Sequence, residues 1–248
     1  MPPGAPDTTV CTILLAWQWR PDVPLVLAAN RDERIGRPTD PPMRLHDDPP
    51  IWGGRDVVAG GTWLAVDPSA GRVCAVTNRY VGERPSPPDP TRRSRGALPV
   101  LLLAEGETAL GGLDAGDYNP VNLLWFDRAH AWWSTLARSG AITPGVHALT
   151  VHDVDDATSP KTVRLLAAAQ AAATVASGAD DLRDRLARLL TSHETDPGGP
   201  PQSATCIHGD EYGTVSSSTV VVRSDAVQLR YADGRPCVTP YRPVDLSV

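Results

Sequence analysis

Residues 11–19 form an almost unbroken apolar run, CTILLAWQW, and a turn at 21–24 separates it from a second apolar run at 25–29. Apolar runs this short, joined across a proline turn, predict two buried strands in a hairpin. A dense polar segment, NRDERIGRP at 30–38, follows the hairpin, and a proline-rich loop is expected through Pro50. Strands are expected at 61–66 and 72–78 around the turn DPSAG, then a proline loop at 82–91 and a helix at 94–104. A further strand pair is expected at 118–125 and 131–136. Residues 160–177 are alanine-rich with apolar positions near helical spacing, and LRDRLARLL continues the pattern within 179–193. These predict two helices. After the loop DPGGPP, segments 203–207, 216–223 and 226–231 read as closing strands. Strands, then helices, then strands again predict an α+β layered domain rather than a parallel βαβ array.

Composition narrows the field. A chain of 248 residues suits one large domain or two small ones. At this size roughly three-quarters of the unfolded surface is buried on folding, so staples are not needed. Hydrophobic content of 41% and charged content of 21% are ordinary for a globular protein. A net charge of -6 without a basic stripe argues against nucleic acid, and the cluster Arg92, Arg93, Arg95 is short. No run approaches the roughly 20 apolar residues of a membrane span, and MPPGAPDTTV lacks the basic start and apolar core of a secretory signal. The four cysteines, at 11, 74, 206 and 237, make no CxxC pair. Neither a zinc site nor a disulfide framework is indicated, and reduced thiols in a cytoplasmic protein fit best. Abundant Ala, Gly, Pro and Arg with scarce Lys suggest a GC-rich bacterial source.

Four constellations bear chemistry. If the hairpin pairs the strand at Cys11 with the one ending at Ala29, then Asn30, Arg31 and Asp32 emerge at the sheet end where Cys11 starts. A thiol needs a base or a depressed pKa to act as a nucleophile. A cysteine at a chain's N-terminus carries its own base, an α-amine with a pKa of about 7.7–8.0. Asp32 would hold that amine, and Arg31 would favour the thiolate or grip an anion. Cys11 as buried strand filler, with NRDE as turn chemistry, is the competing reading of the same residues. Asn78 ends a strand after GGTWLAV, where its amide suits an oxyanion or merely a turn. HGDEYGTVSSSTV at 208–220 offers hydroxyls to a pocket or to the wet face of a hairpin. His147, His152 and Asp153 match no zinc spacing, and no metal site is expected. GxGxxG, GxxxxGK[ST] and GxSxG are absent.

Taken in order, CTILLAW, LVLAANRDE, RPT, GGRDVVAGGTWLAV, AVTNRY, YNPVNLL and DEYGTVSSSTV resemble the landmarks of the NRDE family, also called the transport and Golgi organisation protein 2 family. The resemblance runs from Cys11 to about Arg230. It implies a four-layer αββα sandwich of two antiparallel sheets, like that of N-terminal-nucleophile hydrolases. The family is similar to cysteine amidohydrolases such as penicillin V acylase and conjugated bile acid hydrolase, whose mature chains start with the nucleophile. By that similarity Cys11 is the nucleophile, Asp32 orients its amine, Asn78 donates to the oxyanion and Arg31 takes the role of the active-site arginine. Asn30, Trp63, Arg79 and Ser217 complete the candidate site as substrate-binding residues.

Two positions depart from the family pattern. Members usually read Leu-Ser-Asn where this chain has Leu149, Thr150 and Val151, and Val151 can donate no side-chain hydrogen bond. Members normally begin Met-Cys, whereas ten residues precede Cys11 here. Either Val10 is a GTG initiator decoded as Met, or the ten residues are a propeptide removed by self-cleavage. The expected domain is 11–248, with 1–10 outside the fold. The expected function is hydrolysis of a non-peptide carbon–nitrogen amide bond in a small molecule, with no cofactor required. The alternative, suggested by the family's association with heme and lipid handling, is a non-catalytic carrier of a hydrophobic ligand using the same pocket. Heme enters only there.

Overall fold

The structure is a computed structural model that describes residues 11–82 and 88–247; the leader expected at 1–10 lies outside the described residues. In chain order the elements are β1 (Thr12–Arg20), β2 (Val23–Arg34), β3 (Thr39–His46), β4 (Ile51–Asp56), β5 (Leu64–Asp67), β6 (Arg72–Asn78), α1 (Leu98–Glu105), β7 (Val121–Phe126), β8 (Ala131–Ser134), β9 (Ser139–Ala141), β10 (Gly145–Leu149), α2 (Pro160–Val175), α3 (Ala179–Leu189), β11 (Tyr212–Val222), β12 (Val227–Ala232) and β13 (Arg242–Pro243). One antiparallel sheet has the order β10-β1-β2-β11-β12-β13, and a second the order β3-β4-β5-β6-β7-β8-β9.

Strand alternation decides the layering, because successive side chains leave opposite faces. In β1 and β2, Ile13, Leu15, Trp17, Leu25, Leu27 and Ala29 pack against Leu64, Val66, Val73, Ala75, Leu124 and Phe126 of the second sheet. Leu14, Ala16, Val26 and Ala28 point the other way, onto Leu165, Ala169, Leu182 and Leu186 of α2 and α3. The outer face of the second sheet is covered by Leu98, Leu102 and Leu103 of α1. Helices therefore flank a pair of face-packed antiparallel sheets, the αββα order expected from the resemblance. The α2 start is capped by Ser159, whose hydroxyl accepts from the Thr162 amide, with proline at the first helical position. No helix among the described residues is long and apolar enough to cross a membrane.

Three expectations are corrected. The second strand does not stop at Ala29 but runs to Arg34, so NRDE lies inside β2 rather than in a turn. Pairing with β11 on its far side holds it extended, with Ser217 opposite Asn30 and Thr214 opposite Asp32. The proline-rich stretch before Pro50 contains β3. Its Pro41 and Pro42 are tolerated because β3 is an edge strand with register shifts, where missing N–H donors break no ladder. Residues 203–207 are no strand; a 3-10 turn at Pro201–Ser203 leads into irregular chain. The short strands β4, β9 and β10 also escape the local pattern.

Leu27 is fully buried between the sheets, while Val58 is 64% exposed. Leu27→Ala is expected to cost about 2–5 kcal/mol in a denaturant titration, and Val58→Ala less than about 0.5 kcal/mol. Equal effects would contradict this placement of the core.

Candidate active site

The site lies at the end of the first sheet where β1 begins. Thr12 pairs with Asn30, so the same register continued by one residue sets Cys11 beside Arg31. Ala28 packs toward α2 and α3 and Ala29 toward the second sheet, so alternation sends Asn30 and Asp32 to the helix side and Arg31 between the sheets. The contacts of each side chain bear this out.

Cys11 is buried, and its Sγ lies 3.8 Å from the Asp32 carbonyl oxygen, an acceptor for the thiol proton. Burial, reinforced by the Asp32 charge, pushes the thiol up to about 12. Such a thiol is not a nucleophile unless a base takes its proton. Asp32 is fully buried, and burial raises its carboxyl to about 6, against the opposing pull of Lys161 and the Thr214 hydroxyl. Thr214 Oγ1 donates to Asp32 Oδ1 at 2.5 Å, and the same hydroxyl accepts from the Ile207 amide at 2.8 Å. Asp32 Oδ2 is buried with no hydrogen-bond partner among the described residues.

Lys161 is a site residue that the sequence patterns missed. It is the only lysine in a chain that otherwise carries its positive charge on arginine. It is buried at the first turn of α2 and donates to the Gln202 carbonyl at 3.2 Å. Burial lowers its ammonium to about 8, with the Asp32 charge pulling the other way. Its isolation in the composition was the available signal, but nothing local linked it to Asp32.

The other candidates are held differently. Asn30 donates to the Leu190 and Thr205 carbonyls, both at 2.9 Å, tying β2 to the end of α3 and to the segment before β11. Arg31 is buried, donates to Thr39 Oγ1 at 3.1 Å, pairs with Asp56 at 3.4 Å and Glu33 at 3.5 Å, and lies 4.4 Å over the Trp63 ring. Its charge serves the inter-sheet contact. Gly54 gives the Trp63 ring its place, since a side chain there would collide with it. Ser217 donates to the Ala29 carbonyl at 3.0 Å and shares a 2.7 Å hydrogen bond with the Tyr241 hydroxyl.

Asn78 ends β6 opposite Val121 and is half-buried. Its neighbour Thr77 reaches the other sheet's chain, donating to the Thr150 carbonyl at 3.1 Å. Arg79 bonds Asn122 at 2.9 Å and Asp153 at 2.7 Å and lines a cleft of about 480 Å³ with Tyr80, Arg138, His152 and Asp156. Cys11 and Asp32 do not line that cleft. Val151 is buried against Ile207 and Tyr80, where a polar amide would meet apolar neighbours. His147 is bound by Asp155 at 2.6 Å and the Thr143 carbonyl at 2.8 Å, and Asp153 is engaged by Arg79 and Arg138. These residues do not assemble a metal set.

The sequence matches the family model described as Transport and Golgi organisation 2 over residues 10–235. The chain belongs to the Transport and Golgi organisation 2 family. The match spans Cys11, the whole of β2 and every candidate site residue. No curated protein sequence matches the chain. Within this Transport and Golgi organisation 2 fold, Cys11, Asp32, Thr214 and Lys161 make one buried cluster; Arg31 acts on the Cys11 thiol while paired with Asp56 and Glu33, and Arg79 lines a separate cleft.

The raised Asp32 carboxyl has a measurable consequence. Unfolded, it ionises near its ordinary value of 3.8; folded, near 6. Between those values the native chain holds a proton that the unfolded chain has lost, so stability attributable to this group rises as pH falls from about 6 toward 4. The melting temperature of the natural chain minus that of Asp32→Asn should therefore increase as pH is lowered from 7 to 4.5. A flat difference would contradict the raised carboxyl.

Proposed function

We propose that the chain is a cysteine N-terminal-nucleophile amidohydrolase acting on a non-peptide carbon–nitrogen amide of a small molecule. The observation that carries this is Asp32: its backbone carbonyl lies 3.8 Å from Cys11 Sγ, and its buried Oδ2 has no hydrogen-bond partner among the described residues. A buried carboxylate oxygen with no donor is costly, and an α-amine freed at Cys11 supplies the missing donor.

In the reaction, Cys11 Sγ bonds to the amide carbonyl carbon while its proton passes to the α-amine. The tetrahedral oxyanion takes hydrogen bonds from Asn78 and a backbone N–H. The carbon–nitrogen bond then breaks as the ammonium returns its proton to the leaving amine. Water hydrolyses the thioester and restores the thiol. Asp32, held by Thr214 and balanced by Lys161, keeps the amine aimed.

One observation favours a rival, a non-catalytic carrier of a hydrophobic ligand. Val151 packs among apolar side chains where the acylase relatives use an asparagine.

Mass spectrometry of natively expressed protein is expected to give a chain beginning at Cys11, and an electrophilic amide or β-lactone probe to label it there. Asn78→Ala should lower the labelling or turnover rate by about 10²–10³. Active protein with an intact Met1 or Pro2 terminus would sink the mechanism. A Cys11→Ala variant that keeps all ligand affinity and biological function would decide for the carrier.

A further inference from the structure

A second cluster of reactive side chains lies outside the Cys11 site. His193 comes from the segment after α3, Cys206 and His208 from the segment entering β11, and Cys237 from the link between β12 and β13. One ligating atom from each of the four lies within 4.8 Å of all the others. Cys206 Sγ is 3.6 Å from Cys237 Sγ and 3.7 Å from His208 Nε2, and Cys237 Sγ is 3.2 Å from His208 Nε2. The His193 and His208 rings meet edge to face with centroids 4.6 Å apart.

These separations discriminate between chemistries. A disulfide holds its sulfurs at about 2.05 Å, so Cys206 and Cys237 are two thiols and not a bridge. A tetrahedral zinc ion has Zn–S near 2.3 Å and Zn–N near 2.0–2.1 Å, which sets ligand-to-ligand edges of roughly 3.3–3.8 Å. Of the three edges measured here, 3.6 and 3.7 Å fall in that range and 3.2 Å lies just under it, while the rest of the set stays within 4.8 Å, a separation that small ring rotations would close.

We propose that His193, Cys206, His208 and Cys237 bind a structural zinc ion. Two thiolates and two neutral imidazoles give a closed set of four protein ligands, with no position left for water or substrate. Binding displaces the two thiol protons to solvent and leaves the complex electrically neutral. The exposed edges of His193 and His208 provide the entry path, while buried Cys206 anchors the inner side. The site lies partly beyond the family match, which ends at residue 235, two residues before Cys237.

The placement gives the ion a purpose. Ile207, between two of the ligands, donates to the Thr214 hydroxyl that in turn donates to Asp32. Thr205, beside Cys206, accepts from Asn30, and the Cys206 amide donates to the Ser192 carbonyl next to His193. Three irregular segments that position the Asp32 end of β2 are thus drawn together at one point. The segment 203–207 forms no strand, so it lacks the ladder that would otherwise hold it.

The test is metal analysis of the full chain purified without chelator. About one zinc per chain is expected, together with uptake of Co²⁺ that shows tetrahedral ligand-field bands and thiolate charge transfer. Cys237→Ser and the milder, exposed His193→Ala should each lose the metal to a chelator that the natural chain resists, and melt at lower temperature. Cys11→Ala should retain full zinc, so loss of the nucleophile and loss of the metal are read separately. Protein that takes up neither Zn²⁺ nor Co²⁺ would overturn the site. So would variants that keep full stoichiometry, or a Cys206–Cys237 disulfide in the unreduced mass.

Discussion

The candidate site depends on the double pairing of β2. β1 pairs with it from Val23 to Asn30 and β11 from Leu25 to Arg34, so most of its length has a partner on both sides and its Arg31–Arg34 end is held extended by β11. That frees the side chains of Asn30, Arg31 and Asp32 to be buried on both faces of a sheet, which a solvent-exposed turn would not allow. Alternation then gives three adjacent polar residues separate tasks. Asn30 joins β2 to two loops, Arg31 bridges toward the second sheet over Trp63, and Asp32 faces α2. Slip the pairing by one residue and Arg31 would be driven into the helix layer while Asp32 met Asp56 and Glu33, like charges in a dry interface.

Asp32 and Lys161 set the electrostatic character of the helix side. Burial moves each toward its neutral form, to about 6 and about 8, and each opposes the other's shift. Removing one partner from such a pair leaves an uncompensated charge, a far larger penalty than the pair's net contribution. A fold that tolerates this tension beside a buried thiol is organised around something other than stability, which is the pattern of functional sites. Arg31, by contrast, has two carboxylates and an aromatic face, and its surroundings read as architecture.

The layered α+β class, the N-terminal hairpin and the two long helices were legible because each rests on local periodicity. Beyond Ala29 local pattern failed for a physical reason: NRDE is extended only because β11, almost two hundred residues away, pairs with it. Pro41 and Pro42 argued against a strand that survives because it is an edge. Cys11 and Asp32 were brought together as candidates through motif resemblance, but their neighbours Thr214 and Lys161 could not be, since no spacing rule relates a helix start at 160 to a strand end at 32. Arg31 was legible as a charge near Cys11, whose thiol it favours in ionised form, but its contacts to Asp56 and Trp63 were not, because which face a strand residue takes follows from register rather than from its neighbours in sequence.

The four cysteines show the same limit most sharply. Without a CxxC pair they gave no hint of metal, yet the turn of chain after β12 returns Cys237 to Cys206 and His208, 29 residues after the second of these. Cys206 and His208, two residues apart, lie in chain that forms no strand, so no ladder fixes the spacing of their side chains. There Cys206 Sγ and His208 Nε2 come within 3.7 Å of each other while Ile207 between them donates its amide to Thr214 and is tied, through it, to Asp32.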